Sequence, residues 1–331
     1  MHYIDTSPPV LYCFKKGGFL MTQEQFLKNL TVPEGKIDVV LDTDAFNEID
    51  DQFAISYMLA YPEKFNVKGI CAAPFFNMHS TSPEDGMERS YDEILKLLTL
   101  AKKEDVKDIV YKGSKTYLEN ETTPVESPAA AFMAELAESY TPANPLYIVA
   151  IGAITNVASA ILKNPNTKEN CVIVWLGGSG VHMPLAASEF NMTQDIAAAR
   201  IIFGCGVPLV QLPCSGVVDH VSTSKYELEY WLKDKNPLAD YLCRNTIAEA
   251  ESYAAGKPWT RVIWDITAVA WLLNEKNRFM SGKLIASPIP EYDNHYAFNE
   301  NRHFIRYVYH INRDALFEDL FNRLGNYYEN L

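Results

Sequence analysis

Carboxylates crowd one short stretch of the sequence. Five of them fall within the ten residues from Asp42 to Asp51, directly after a strand-like run at residues 37–41. They are Asp42, Asp44, Glu48, Asp50 and Asp51. Carboxylates held this close raise one another's pKa values by repulsion, and a bound cation removes that conflict. Clustered hard oxygens suit Ca²⁺ or Mg²⁺ better than Zn²⁺. The position at a strand end therefore favours a metal site over a solvated acidic loop.

Two other turns hold residues that are individually unremarkable. After the strand-like run at residues 146–151, Gly152 lets the backbone turn sharply, and Thr155 or Asn156 is expected to cap the next helix. Asp265 stands directly before an apolar helical run, where a lone aspartate usually acts as an N-cap. Taken separately, neither turn indicates a function.

A glycine-rich turn follows the strand-like run at residues 171–176. It begins with Gly177-Gly-Ser-Gly180 and continues to His182 and then Glu189-Phe-Asn191. The glycines have neither the GK[ST] ending of a phosphate loop nor a complete GxGxxG pattern, so they predict phosphate binding only weakly. The polar residues that follow them are candidates for contacts to a ligand.

Strand and helix patterns alternate along the chain from residue 36 and must position these side chains. The continuous apolar runs at residues 146–151 and 171–176 indicate strands buried on both faces, as in a parallel sheet covered by helices. The sequence therefore predicts an α/β fold, an open, mostly parallel, doubly wound (Rossmann-like) sheet flanked by helices. Residues 304–311 alternate in polarity and predict an edge or antiparallel strand at the C-terminal side. Ligands bind such sheets at the carboxyl ends of the strands.

The overall composition excludes several classes of protein. The chain has 331 residues, with 29 Lys and Arg against 42 Asp and Glu, a net charge of −13 that disfavours nucleic-acid binding. No apolar run approaches the ~20 residues that span a bilayer, so no membrane partner is expected. The six cysteines are scattered without a CxxC pair, which favours a cytoplasmic protein. Residues 1–35 are expected to form an N-terminal extension, helical at 22–30, before a single domain at 36–331.

Together the four strand ends resemble the inosine–uridine-preferring nucleoside hydrolase family. The similarity is an ordered series of motifs over roughly residues 37–273. The first signature of the family is an acidic strand end, Asp-x-Asp, followed by Asp-Asp at a helix start. A Gly-x-Leu-Thr-Asn turn, a Glu-Phe-Asn triplet and a late aspartate come after it. The matching positions are Asp42, Asp44, Asp50 and Asp51, then Gly152–Asn156, Glu189–Asn191 and Asp265.

The resemblance implies calcium-dependent hydrolysis of the N-glycosidic bond of a ribonucleoside, giving free base and ribose. Members of the family bind one Ca²⁺ that also grips the 2′- and 3′-hydroxyls of the ribose. The matching ligands are the carboxylates of Asp44, Asp51 and Asp265 and the backbone carbonyl of Ile151. Asp50 matches the general base that activates a water on the ion. The reaction passes through an oxocarbenium-like ribosyl cation, which a carboxylate-rich pocket stabilises.

The same resemblance assigns residues to the substrate. Asp42 matches a carboxylate that supports the cluster and contacts ribose, and Glu189 and Asn191 match contacts to the ribose hydroxyls. Asn77 is a looser match to a further ribose contact. His182 is a candidate contact to the 5′-hydroxyl or the base. Family members are commonly dimers or tetramers, which implies a homodimer or homotetramer here.

The sequence departs from the family at three places. Five residues, 45–49, separate Asp44 from the Asp-Asp pair where three are usual, so the loop is expected to bulge and to bring Asn47 or Glu48 into the site. Trp264 replaces the His that often serves as general acid, as in a purine-specific subgroup where Trp stacks on the leaving base. A second family His would fall near Lys112 and is absent.

These departures leave alternatives open. One is a nucleoside-binding homologue that has lost turnover, and another is a hydrolase of a nicotinamide or modified riboside. The Asp-x-Asp strand end also fits a haloacid-dehalogenase-type phosphatase, although no later motif of that family is present. His220, His303 and His310 are further candidates for the site. The stretch at residues 292–309, rich in Tyr and His, borders either the base pocket or an interface.

Overall fold

One large sheet organises the molecule. The structure, a computed structural model, describes residues 21–330. Eight strands form this sheet in the order β3-β2-β1-β4-β5-β6-β12-β9, and two small two-stranded sheets accompany it. In the described residues the strands are β1 Ile37–Thr43, β2 Phe65–Ala72, β3 Val110–Lys112, β4 Leu146–Ala150, β5 Cys171–Leu176, β6 Leu209–Leu212, β7 Ser222–Thr223, β8 Arg261–Val262, β9 Met280–Ala286, β10 Ile289–Pro290, β11 Tyr296–Ala297 and β12 Phe304–Ile311.

The strand order defines where a ligand can bind. All neighbouring pairs in the large sheet are parallel except β12 with β9. The chain proceeds outward from β1 to β3 on one side and from β4 to β6 on the other. The direction of winding therefore reverses between β1 and β4, and this switch point opens a crevice at the carboxyl ends of the strands. The predicted open, mostly parallel, doubly wound sheet with an antiparallel C-terminal edge is confirmed.

The C-terminal edge differs in one detail from the sequence prediction. Strand β12 pairs in parallel with β6 and antiparallel with β9, so β9 forms the edge instead of β12. Strand β9 was not predicted because its sequence, MSGKLIA, has neither a continuous apolar run nor a regular alternation. Only its position beside β12 makes it a strand.

The helices cover both faces of this sheet. In the described residues the α-helices are α1 Gln23–Asn29, α2 Asp50–Leu59, α3 Pro83–Leu100, α4 Pro128–Leu136, α5 Thr155–Lys163, α6 Thr167–Asn170, α7 Phe190–Gln194, α8 Ile196–Gly204, α9 Lys225–Trp231, α10 Pro237–Ala254, α11 Ile266–Leu272 and α12 Arg313–Gly325. Two predicted helix starts are confirmed in detail. Ser82 and Ser127 each accept a hydrogen bond from a backbone N–H three residues on, at 3.1 Å, and a proline follows each serine.

Two apolar layers hold the sheet between the helices. Successive residues of β1 serve opposite layers, since Val39 and Leu41 join the cluster with α2, α11 and α12, whereas Val40 joins the cluster with α4, α5 and α8. Strands β4 and β5 are completely buried, as their continuous apolar sequences predict. Because helices pack on both faces of the sheet, the carboxyl ends of β1 and β4 are held side by side. The residues that follow these two strands are therefore close together.

Part of the predicted N-terminal extension packs on the sheet. The predicted helix at 22–30 is confirmed as α1. The Nδ2 of Asn29 donates to the carbonyl of Pro142 at 3.0 Å, and the Nε of Arg306 donates to the carbonyl of Leu30 at 2.9 Å. Residues 1–20 of the predicted extension lie outside the described residues. Across residues 21–330, no helix has the length and apolar character needed to cross a membrane.

Candidate active site

The predicted site residues lie at the switch point of the sheet. Asp44 directly follows β1, Ile151 directly follows β4, and Asp50 and Asp265 stand at the starts of α2 and α11. These elements surround a cavity of about 260 Å³. The predicted site residues that line it are Asp50, Asp51, Ile151, Glu189, Asn191, Trp264 and Asp265. Elements from four separate parts of the chain thus converge on one pocket.

Three of the carboxylates that line this cavity lie close to one another. Asp50, Asp51 and Asp265 each place an oxygen within 4.8 Å of the others, and all three are at most 4% exposed. Thr43 donates a short hydrogen bond to the Oδ1 of Asp51. Burying several carboxylates together is costly unless a cation or hydrogen-bond donors compensate. The number of donors to this cluster is small, so it is suited to a cation.

Asp44 is a fourth carboxylate near this group of three, and it does not itself line the cavity. It is completely buried, and neither carboxylate oxygen has a hydrogen-bond partner within residues 21–330. Gly152 allows the close approach, because a Cβ at that position would lie 2.7 Å from the Oδ1 of Asp44. An unpartnered buried carboxylate of this kind is rare in folded proteins and calls for a missing partner. Oxygen donors alone form the set, which fits a hard divalent cation such as Ca²⁺.

Burial and mutual repulsion shift the protonation of the whole cluster. Burial, followed by repulsion from neighbouring carboxylates, raises the pKa values of Asp44, Asp50 and Asp265 well above their usual range. Burial raises the pKa of Asp51 to about 6 and that of Asp42 to about 7, in each case opposed by a side-chain hydrogen bond. A bound divalent cation reverses these shifts, since it stabilises the ionised carboxylates.

These shifts predict how stability depends on pH when metal is removed. The folded pKa values exceed the unfolded ones, so this contribution to stability is complete below about pH 4 and is lost as pH rises through about 6 and 7. In chelator, the melting temperature will therefore fall between pH 5 and pH 8. Calcium will flatten this dependence, and Asp42→Asn will reduce it. A chelated protein that melts at the same or a higher temperature at pH 8 contradicts the prediction.

The turn after β4 supports the cluster in a way that the sequence did not predict. The N-cap residue of α5 is Ile154, with no side-chain cap in the described structure, so the expected capping by Thr155 or Asn156 is wrong. Asn156 instead donates to the Oδ1 of Asp42 at 2.8 Å, and Thr155 donates to the Oδ2 of Asp195 at 2.7 Å. Both side chains donate to buried carboxylates, whose need for donors exceeds that of a helix end, and the Oδ2 of Asp42 has no partner among the described residues.

Glu189 and Asn191 present fixed oxygen atoms at the cavity. The Glu189 carboxylate accepts from the backbone N–H groups of Gly178 at 2.7 Å, Asn191 at 2.9 Å and Met192 at 3.1 Å. The Nδ2 of Asn191 donates to the carbonyls of Ile151 at 3.0 Å and Leu176 at 3.1 Å. With its amide hydrogens used, Asn191 has its Oδ1 left to accept from a ligand hydroxyl.

Three predicted substrate residues lie outside the cavity lining. Asp42 is completely buried one residue before the end of β1, where it supports the cluster from behind. Asn77 donates from its Nδ2 to the Oδ1 of Asn47 at 2.5 Å, and Asn47 lines the cavity. His182 is exposed, and its ring lies beside Gly180 and Gly216, next to the rim of the cavity.

The other candidate histidines lie at opposite ends of the strands. His303 precedes β12 and so lies at the amino end of that strand, opposite the site, which excludes it. Burial lowers the pKa of His303 to about 4. His310 is near the carboxyl end of β12, and the Nε2 of His220 lies 3.1 Å from the carbonyl of Ile311. Neither lines the cavity in the described part of the chain.

The structure adds residues that the sequence analysis missed. Phe190, Cys214 and Ser215 line the cavity. Cys214 and Ser215 follow β6. Ligands bind such sheets at the carboxyl ends of the strands, so the position after β6 could have indicated these two residues. Asn47 and Glu48 of the longer acidic loop also line the cavity, as the loop length predicts.

Comparison with known proteins assigns this chain to a class of enzyme. The chain is a hydrolase that acts on N-glycosyl compounds. The profile of the family described as inosine-uridine preferring nucleoside hydrolase matches residues 39–300, most of the chain, and the protein belongs to this family of ribonucleoside hydrolases. The resemblance predicted from the motifs is confirmed. Membership also argues against the phosphatase alternative.

Two relatives agree on the family, and both are named for pyrimidine ribonucleosides. The pyrimidine-specific ribonucleoside hydrolase RihA of Salmonella paratyphi C is 27% identical over 263 residues, covering 72% of this chain and 79% of the relative. The probable uridine nucleosidase 2 of Arabidopsis thaliana is 30% identical over 137 residues, covering 40% and 41%.

Solved structures share the fold. The plant nucleoside hydrolase PpNRh1 superimposes with a TM-score of 0.68 at 18% identity, over 87% of this chain and 99% of that one. The purine-preferring ribonucleoside hydrolase from Gardnerella vaginalis gives a TM-score of 0.66 at 22% identity, over 88% and 98%. At these identities the similarity establishes a common architecture and leaves the substrate open.

Proposed function

We propose that this protein is a calcium-dependent ribonucleoside hydrolase that prefers purine bases and releases free base and ribose. The observation that carries the proposal is Asp44, a fully buried carboxylate whose two oxygens lack partners within residues 21–330. Family membership supports the N-glycosidic chemistry. The acidic cluster supports the metal, and Trp264 supports the preference for purines.

The proposed metal ligands are the carboxylates of Asp44, Asp51 and Asp265 and the carbonyl of Ile151. All four are oxygen donors, which suits calcium. Ile151 accepts one hydrogen bond from Asn191, and its carbonyl retains a second lone pair for an ion. When bound, calcium supplies Lewis-acid activation of the attacking water and a grip on the ribose diol.

The remaining residues of the site have distinct proposed roles. Asp50 takes a proton from the attacking water, because it lines the cavity beside the proposed ligands Asp51 and Asp265. Glu189 and Asn191 accept hydrogen bonds from ribose hydroxyls. Their carboxylate and amide oxygens also stabilise the positive charge that develops on the ribosyl group. Asp42 and Asn77 hold the wall in place, and His182 lies at the rim for the 5′-hydroxyl or base.

Trp264 is proposed to stack on the leaving base. The indole lines the cavity, is partly exposed and directly precedes Asp265, so a base above a bound ribose lies within its reach. Stacking between a base and an aromatic ring contributes about 1–3 kcal/mol. A purine offers the larger face, which favours purines even though the relative RihA is pyrimidine-specific.

A substrate panel tests this function. Inosine, guanosine, adenosine, uridine, cytidine and nicotinamide riboside are incubated with the protein in calcium or in chelator, and base release is measured by chromatography. We expect purine ribosides to be hydrolysed fastest and chelator to stop turnover. Faster hydrolysis of uridine overturns the purine preference. Faster release of nicotinamide favours the modified-riboside alternative. Calorimetric binding of inosine without any base release favours the non-catalytic alternative.

Trp264→Ala separates stacking from core packing. It will lower kcat/KM for purine ribosides about 10- to 100-fold, the equivalent of about 1–3 kcal/mol, and for uridine less. Trp264→Phe keeps an aromatic face and will retain more purine activity than the alanine variant. An equal loss for every base, with a lower melting temperature, indicates that Trp264 acts only in packing.

The proposal also covers the bounds of the catalytic domain, the cellular location and the oligomeric state. The catalytic domain is placed at residues 36–331, in a cytoplasmic protein that assembles as a homodimer or homotetramer. The free thiols of Cys71, Cys171, Cys205, Cys214 and Cys243 support a reducing compartment. Light scattering during size-exclusion chromatography measures the assembly, and a monomer overturns this part.

A further inference from the structure

The loop between β1 and α2 forms one wall of the cavity. It spans residues 44–49, and Asn47 and Glu48 within it line the cavity. Its ends are buried, since Ala45 is 0% and Ile49 is 3% exposed. Phe46 in its middle is 38% exposed, with the guanidinium of Arg89 5.7 Å from its ring. Polar contacts add to this packing.

One polar contact of the loop comes from Arg261, in addition to the hydrogen bond that the backbone N–H of Phe46 donates to the Oγ of Ser90 at 3.3 Å. The Nη2 of Arg261 donates to the Oε2 of Glu48 at 2.7 Å, and its Nε lies 3.2 Å from the Oε2 of Glu249 on α10. Its Nη1 also donates to the hydroxyl of Tyr253 at 3.3 Å. The Arg261 side chain is 17% exposed and that of Glu48 is 42% exposed, so water screens this ion pair from the Glu48 side. One guanidinium thus joins the loop to α10 through three groups.

The same arginine links two chain segments that line the cavity. Arg261 lies on β8, three residues before Trp264, whereas Glu48 precedes the proposed base Asp50 by two residues. The ion pair therefore ties the wall with the acidic loop to the segment with Trp264 and Asp265. A further contact, from Asn77 to Asn47, holds the loop from the side of β2.

We propose that Arg261 is a positioning residue for the riboside, resting on the proposed function. It holds Glu48 and the loop in the binding-competent position before the substrate arrives. A loop that is already ordered does not have to lose conformational entropy on binding. Without Arg261 only a fraction of molecules has the loop in place, and the apparent affinity for substrate falls by that fraction.

Arg261→Met tests the proposal, because methionine removes the charge and the donors and keeps an apolar stem. We expect KM for the best riboside to rise about tenfold, as it would if the loop were in place in about a tenth of the molecules. The change in kcat will be smaller and will come from the loss of a positive charge near Asp50. Hydrogen exchange of residues 45–49 will become faster in the free protein. Arg261→Lys keeps the positive charge but loses the planar set of guanidinium donors. Its KM will lie between those of the wild type and Arg261→Met.

A double-mutant cycle assigns the effect to the pair. Glu48→Gln and Arg261→Met together will raise KM by no more than the larger single effect, because both remove one contact. Arg200→Met is the matched control, since Arg200 is 22% exposed and bridges Glu121 and Glu291 away from the cavity. We expect it to leave KM and the exchange of residues 45–49 unchanged.

Two outcomes overturn the proposal. One is an Arg261→Met protein with unchanged KM and exchange, and the other is strictly additive effects of the two substitutions. Failure of the proposed function gives a different result. The wild type then releases no base from any riboside, while Arg261→Met still speeds loop exchange and weakens binding of inosine measured by calorimetry.

Discussion

Asp50→Asn will lower kcat for the preferred riboside by about 10²- to 10⁴-fold, the range of general-base contributions. Asparagine has nearly the same shape as aspartate but cannot accept the proton of the attacking water. An oxygen of Asp50 lies within 4.8 Å of oxygens of Asp51 and Asp265. Asparagine occupies the same space beside these two carboxylates, so the substitution leaves no cavity. Steady-state kinetics of base release in saturating calcium measure the loss.

This variant also separates two roles for Asp50. If Asp50 is a base and not a metal ligand, calcium will raise the melting temperature of the variant about as much as that of the wild type. Asp38→Asn is the control, because Asp38 lies near the opposite end of β1, where it accepts from Asn66 and Tyr140. Near-normal turnover in Asp50→Asn is incompatible with the proposed base. Loss of calcium stabilisation shows instead that Asp50 is a ligand.

Asp44→Asn will have opposite effects on stability with and without calcium. In chelator at pH 8 the variant will melt at a higher temperature than the wild type, since it removes a buried, unpartnered charge close to other acids. In calcium at 100 times its Kd the wild type will gain about 2.7 kcal/mol, a shift on the order of 5 °C, and the variant will gain little. Turnover will be lost.

Differential scanning calorimetry with added calcium or chelator measures these effects. Asp38→Asn again serves as the control, because it alters an acid on the same strand away from the cavity. The prediction is contradicted by a wild type whose melting temperature does not respond to calcium. It is also contradicted by an Asp44→Asn protein that responds as strongly as the wild type. Either result removes Asp44 from the proposed ligands.

The sequence alone determined the fold class and the acidic strand end. The continuous apolar runs of β4 and β5 reflect burial on both faces of the sheet. The serine–proline helix starts depend on hydrogen bonds within a few residues. Both features can therefore be predicted from the sequence. The strand-end rule and the family resemblance brought Asp50, Asp51 and Asp265 to one site, and the structure places them together.

Tertiary structure decided which polar groups meet. Thr155 and Asn156 bond to carboxylates 40 and 114 residues away in the sequence instead of capping their own helix. Strand β9 forms only because β12 lies beside it. Arg261 reaches Glu48 across 213 residues, which no local spacing predicts. Contacts of this kind depend on how the packed layers orient distant loops, whereas strands and helices depend on patterns within each segment.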